Sequence, residues 1–93
     1  MGVRFKIPRQ LQEKTDGEIH IEVQGFTVYE CVADLIRRHP DLKGRILDRE
    51  GRLLLKWMVY INDKSVIPSN ELSYAVKDGD IITVLPMVAG GQQ

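Results

Sequence analysis

Few side chains in this chain of 93 residues have the type and spacing for chemistry. His20 falls on an outward position of an alternating segment and reads as part of a solvated face. His39 closes a helical pattern, where a cation suits the C-terminal dipole. Cys31 shares a helix face with Val28 and Leu35, the place of a small buried hydrophobe rather than a reactive thiol. As the only cysteine, it excludes an intrachain disulfide and an all-cysteine metal site. Ser65, Ser69 and Ser73 have no His or Asp at a nucleophile elbow. There is no Gly-rich phosphate loop, and no pair of metal ligands recurs at close spacing. This is the profile of a chain that is not an enzyme by itself. The exception is the C-terminal stretch from Pro86 to Gly91. Gly90 and Gly91 lack Cβ atoms, so this stretch can thread a channel too narrow for side chains. Extended, Met87 to Gly91 reaches about 17 Å from a folded domain. Such an arm suits delivery of a carboxylate into another protein's active site, although small residues near a terminus often have no role.

Composition narrows the partners. Thirteen Lys and Arg balance thirteen Asp and Glu, which argues against a general nucleic-acid binder and against long-range steering as the main recognition device. The longest apolar run, Trp57 to Ile61, is far short of the ~20 residues that span a bilayer. The N-terminus has no signal-peptide apolar region. A single cytoplasmic domain, with no membrane association, is expected from these features.

The elements that must carry the arm follow from periodicity. Val3, Phe5 and Ile7 alternate with Arg4 and Lys6, a strand with one buried face that Pro8 ends. After a long connection and an Asp16-Gly17 turn, Glu18 to Val23 alternates again, with Ile19, Ile21 and Val23 inward. Thr27 and Glu30 form a capping box in which Glu30 reaches back to the Thr27 amide. Val28, Cys31, Val32, Leu35 and Ile36 then mark the buried face of a helix that Pro40 stops near His39. Ile46-Leu47 docks a polar loop onto the core. Leu53 to Ile61 reads as one longer strand, followed by an Asn62-Asp63 turn, a short segment Ser65 to Ile67, and the ambiguous stretch Leu72 to Val76. Lys77-Asp78-Gly79-Asp80 is a turn into the last strand, Ile81 to Leu85. One helix cannot cover both faces of a sheet, so the class is α+β. The order fits a β-grasp roll: a mixed sheet with the first and last strands parallel at its centre and the helix across one face. Residues 1–88 form this domain and residues 89–93 its tail.

Val84-Leu85-Pro86-Met87-Val88-Ala89-Gly90-Gly91, preceded by Lys77-Asp78-Gly79-Asp80, resembles the end of the MoaD/ThiS family of ubiquitin-like sulfur carriers. Val59-Tyr60-Ile61-Asn62-Asp63 resembles the strand and turn that come before it in that family. The resemblance covers essentially the whole chain. Thr15-Asp16-Gly17, and Arg45-Ile46-Leu47-Asp48 followed by Gly51-Arg52-Leu53, look most like the CysO-type carrier of cysteine biosynthesis.

The resemblance implies a mechanism. A ThiF/MoeB-type adenylyltransferase would draw in the tail, Ala89 and Gly90 included, and the Gly91 carboxylate would attack the α-phosphate of ATP with magnesium balancing charge. A sulfur donor would displace AMP and leave a thiocarboxylate on Gly91. In CysO-type systems a pyridoxal-phosphate cysteine synthase uses that sulfur, and a zinc peptidase of the JAMM class releases the cysteine adduct. ATP, magnesium, zinc and pyridoxal phosphate thus belong to partners, and no bound cofactor is expected here. Routes to methionine, molybdopterin, thiamine or modified tRNA remain open, as do a ubiquitin-like protein modifier and a β-grasp interaction module that never uses its tail.

Gln92 and Gln93 depart from the pattern, because Gly91 then carries an amide carbonyl that cannot be adenylated. Removal of these two residues by a JAMM-type peptidase is the preferred explanation. Residues added to the natural chain, or a domain that no longer carries sulfur, are the alternatives. Alternation also places Leu85, beside Pro86 and Met87, on the sheet face away from the helix, with Met58 and Tyr60. This group is either a docking patch or a partly covered strand face.

Overall fold

The computed structural model describes residues 2–65 and 72–86. Strand β1 (Val3–Lys6) pairs antiparallel with β2 (His20–Val23) and parallel with β5 (Ile81–Pro86), which pairs antiparallel with β3 (Trp57–Ile61); β4 (Lys64–Ser65) closes the edge beside β3. The resulting order, β2-β1-β5-β3-β4, places the first and last strands side by side in the middle, as expected for a β-grasp roll. Helix α1 (Val28–Arg38) crosses one face. Phe5, Val59, Ile82 and Val84 from the strands meet Val28, Cys31, Val32 and Leu35 from the helix in one core.

Several local expectations change. Thr27 caps α1 as expected, its hydroxyl accepting from the Glu30 amide at 3.1 Å. The Glu30 carboxylate, however, accepts from the Phe26 amide at 2.7 Å, one residue before Thr27, while Thr27 itself sits in a backbone bridge with Ala75. Ile36 is only half-buried at the helix flank, where it packs against the core edge. Ile19 is exposed: it lies in a bend before the β1–β2 ladder begins at His20, so strand alternation no longer governs it.

The long first connection winds into a 3-10 helix over Arg9–Thr15 that buries Leu11 and Thr15. Asp16 closes it at φ 57°, a left-handed conformation that a short polar side chain tolerates. Strand β3 begins at Trp57, not Leu53. Leu53 instead bridges Leu47 across a loop, where the Asp48 carboxylate accepts from the Glu50 and Arg52 amides, each at 2.9 Å. Within the segment expected as strand, the Leu54 amide donates to the Ile46 carbonyl at 2.8 Å and the Trp57 amide to the Leu54 carbonyl at 3.1 Å, so the chain turns before the ladder begins. The expected docking of Ile46-Leu47 holds, with both side chains buried. Leu72 and Val76 are also buried, and Val76 donates to the Phe26 carbonyl. The latter part of the short Ser65 to Ile67 segment and the tail from Met87 onward lie outside the described residues.

Candidate docking face and tail exit

The face of the sheet away from α1 divides into two halves. Along β3, Trp57, Val59 and Ile61 are buried, and Met58 and Tyr60 take the other side, each half-covered. Along β5, Ile82 and Val84 are buried, while Ile81, Thr83 and Leu85 face outward. Register brings Met58 directly opposite Leu85 and Tyr60 opposite Thr83. Leu85 is 43% exposed, a high value for a leucine at the middle of a sheet. On the other half, Arg4 pairs with Glu22 and Lys6 with His20, all exposed. An apolar strip of Met58, Tyr60 and Leu85 therefore borders a charged strip. This is the anatomy of a protein contact with an apolar centre and a polar rim.

Pro86 differs from its expected place. It is in register with Trp57, and alternation assigns it to the opposite side of β5 from Leu85. It is nonetheless exposed, because the sheet ends there. Pro86 thus stands at the rim of the sheet, as the last residue of β5. Met87, Ala89, Gly90 and Gly91 lie outside the described residues.

The start of β5 is held by a clasp that residue types alone do not show. Asn62, at φ 58°, binds both backbone polar groups of Ile81: its amide donates to the Ile81 carbonyl at 2.7 Å, and its side-chain oxygen accepts from the Ile81 amide at 3.0 Å. The Asn62 side-chain NH2 donates to Asp80 Oδ1 at 3.2 Å, and the Lys77 amide donates to Asp80 Oδ2 at 3.0 Å. The Asp80 carbonyl accepts from the Arg4 amide at 2.9 Å. One cluster thus ties the β3–β4 turn, the 77–80 turn and β1 to the first residues of β5. The Lys77 amide, then the Asn62 side chain and the Lys77 ammonium, hold the Asp80 carboxyl below its usual range despite its burial. Both residues sit in turn motifs, which is the signal that could have paired them.

Burial, reinforced by the Glu30 and Asp34 carboxylates, pushes the Cys31 thiol up to about 11, in keeping with its packing role. Among the described residues no group of three His, Cys, Asp or Glu side chains could hold a metal ion. No helix among them is long and apolar enough to cross a membrane.

Residues 5–91 match the ThiS family. The sulfur carrier protein CysO of Mycobacterium tuberculosis is 34% identical, over 98% of this chain and 100% of that protein. A putative sulfur carrier protein of Archaeoglobus fulgidus is 26% identical, again over 98% of this chain and all of that protein. Among solved structures, a chain of the Amycolatopsis orientalis BexX/CysO complex superposes with a TM-score of 0.83 at 43% identity, covering 96% of this chain and 99% of that one. The small archaeal modifier protein 1 of Methanosarcina acetivorans gives 0.80 at 26% identity, covering 96% and 95%. The β-grasp sheet, the joined Asn62 and Asp80 turns and the family match that runs through the glycine pair lead to one assignment: the chain belongs to the ThiS family of ubiquitin-like sulfur carriers and is of the CysO type.

Proposed function

We propose that this protein carries sulfur as a thiocarboxylate on Gly91, after removal of Gln92 and Gln93, and donates it in the synthesis of cysteine or a related sulfur amino acid. The observation that carries this reading is the family match through residue 91, joined to a central strand that ends at the exposed rim residue Pro86. The strand that precedes the tail is held by β1 along Ile81 to Thr83 and by β3 along Ile82 to Pro86, so a partner could pull on the tail without fraying the fold. The partner would be a ThiF/MoeB-type adenylyltransferase docking on Met58, Tyr60 and Leu85, with Pro86 and Met87 at the rim. The BexX/CysO complex supports docking by a carrier of this type. ATP and magnesium act on that enzyme. The Gly91 carboxylate oxygen would bond to the α-phosphorus as pyrophosphate leaves. A sulfur nucleophile would then displace AMP from the acyl carbon. A cysteine synthase would accept the sulfur, and a JAMM-type zinc peptidase would trim the precursor or release the adduct. A cytoplasmic location fits all three partners.

The test uses chains 1–93 and 1–91 with ATP, magnesium and a cognate adenylyltransferase. Pyrophosphate release is expected from 1–91 alone, followed by a mass gain of one oxygen-to-sulfur exchange when a sulfur donor is added. Two chains equally inert with an active enzyme would overturn the reading. Adenylation of 1–93 to the same extent would remove Gly91 as the acceptor. A second reading, a protein modifier, is favoured by the likeness to small archaeal modifier protein 1; Gly91 joined to lysines of other proteins, in place of the sulfur exchange, would select it.

A further inference from the structure

The net charge of zero conceals a segregation. Residues 37–56 hold seven of the thirteen Lys and Arg but only three of the thirteen Asp and Glu. This segment reaches the C-terminal end of β5: Pro86 is in register with Trp57, whose indole NH donates to the Arg45 carbonyl at 2.8 Å. Between α1 and the 43–51 loop it forms a groove of about 380 Å³. Ala33, Ile36 and Leu47 make an apolar floor, and the Tyr29 ring lies along Gly51 as one wall. A Cβ at Gly51 would make only ordinary contact with the ring, 3.5 Å from Tyr29 Cε1; it is the left-handed backbone, φ 83°, that favours glycine there.

The rim of this groove is cationic and underused. Lys43 and Arg49 are exposed and make no ion pair among the described residues. Arg37, the third rim cation, is paired with Asp34 on its own helix. The acid within the groove, Asp48, is already bound inward by two backbone amides and faced by Arg52 at 3.7 Å. An apolar floor under free cations is complementary to an apolar side chain flanked by carboxylates. The groove lies on the helix side of the sheet, away from the strip of Met58, Tyr60 and Leu85, so the two surfaces do not compete for one contact.

We infer that the groove between α1 and the 43–51 loop is a second docking surface, which takes a short acidic segment of a partner protein with a central apolar residue. The inference stands apart from the sulfur-carrier reading, since such binding does not use Gly91.

The test titrates the full chain, labelled with nitrogen-15, with the peptide acetyl-Glu-Asp-Leu-Asp-Glu-amide. Saturable amide shifts are expected at Tyr29, Ala33, Lys43, Gly44 and Arg49. Raising salt from 0.1 to 1 M shortens the screening length from about 10 Å to about 3 Å and should weaken binding severalfold. The Lys43→Glu, Arg49→Glu double variant alters two exposed side chains and should bind about tenfold more weakly, with an otherwise native amide spectrum. No shifts at millimolar peptide would overturn the proposal. So would shifts confined to Arg4 and Lys6 on the sheet face, or equal binding of the lysine analogue acetyl-Lys-Lys-Leu-Lys-Lys-amide. The wild-type shift map and its salt dependence decide the matter even if the double variant misfolds.

Discussion

Asn62 and Asp80, separated by 18 residues in sequence, meet through a 3.2 Å hydrogen bond that joins the β3–β4 turn to the 77–80 turn at the start of β5. The bond matters because of what surrounds it. Asn62 also satisfies both backbone groups of Ile81, and Asp80 receives the Lys77 amide. The pair therefore sets where β5 begins between β1 and β3, and with it the register that places Leu85 opposite Met58.

Removing the clasp should destabilise the fold. Asp80→Ala leaves the Lys77 amide and the Asn62 side chain without their acceptor, at a cost of about 1–3 kcal/mol. Asn62→Ala loses the same bond and also forces a β-carbon with no compensating side-chain contact into φ 58°, adding about 1 kcal/mol. Asn62→Gly keeps that conformation without strain, so it should be more stable than Asn62→Ala. Urea denaturation of the three variants checks the order; equal stability of the alanine and glycine variants would mean that the backbone conformation contributes nothing.

Acid should expose the same carboxylate. The folded pKa of Asp80 is depressed, chiefly by the Lys77 amide and then by Asn62. Asp34 is depressed too: burial opposes this, but the Gln24 amide and the Arg37 and Arg38 side chains prevail. A depressed folded pKa contributes stability that is full above the unfolded value near ~3.9 and is lost as pH falls through the folded value. Stability should therefore decline from about pH 5 downward. Asp80→Asn should flatten this acid limb while lowering stability at pH 7. Thermal melts across pH 2–7 supply the measurement, and an unchanged acid limb in the variant would assign the loss to other groups.

The apolar strip should respond to charge without loss of fold. Leu85→Asp places a carboxylate in a contact that must lose water on docking, and Met58→Glu does the same across the ladder. Each should weaken binding to the adenylyltransferase by about tenfold or more, the cost of removing one central contact, with the melting temperature little changed because Leu85 is already 43% exposed. Isothermal titration with the enzyme reads the effect. Affinity equal to that of the parent chain would move the contact elsewhere.

Cys31 should be chemically silent in the native state. It is fully buried, and its thiol is raised to about 11, so the thiolate is scarce at neutral pH. Iodoacetamide at pH 8 should label it only at the rate of unfolding, with a large acceleration in urea. Rapid labelling of the native protein would contradict the packing of α1 against the sheet.

Much of the fold is written in short-range patterns. The alternation of Val3, Phe5 and Ile7, and of Ile82 and Val84, marks the central strands, because a pleated strand sends successive side chains to opposite faces. Thr27 and the spacing of Val28, Cys31, Val32 and Leu35 mark the helix for the parallel reason at its own period. The glycine pair gives only the expectation of an arm, since Gly90 and Gly91 lie outside the described residues. Alternation even assigns Leu85 to the open face.

The tertiary structure decided what depends on residues distant in sequence. Leu53 has the composition of a strand, but the Leu54 amide donates to the Ile46 carbonyl and the Trp57 amide to the Leu54 carbonyl across a turn, so β3 starts at Trp57. Ile19 fits the alternation yet is exposed, because a bend precedes the ladder. The Asn62–Asp80 bond and the Met58–Leu85 pair exist only because β5 lies between β1 and β3. A periodic pattern states which side of an element is buried; which elements become neighbours, and which side chains can then meet, is settled by the packing of the whole sheet.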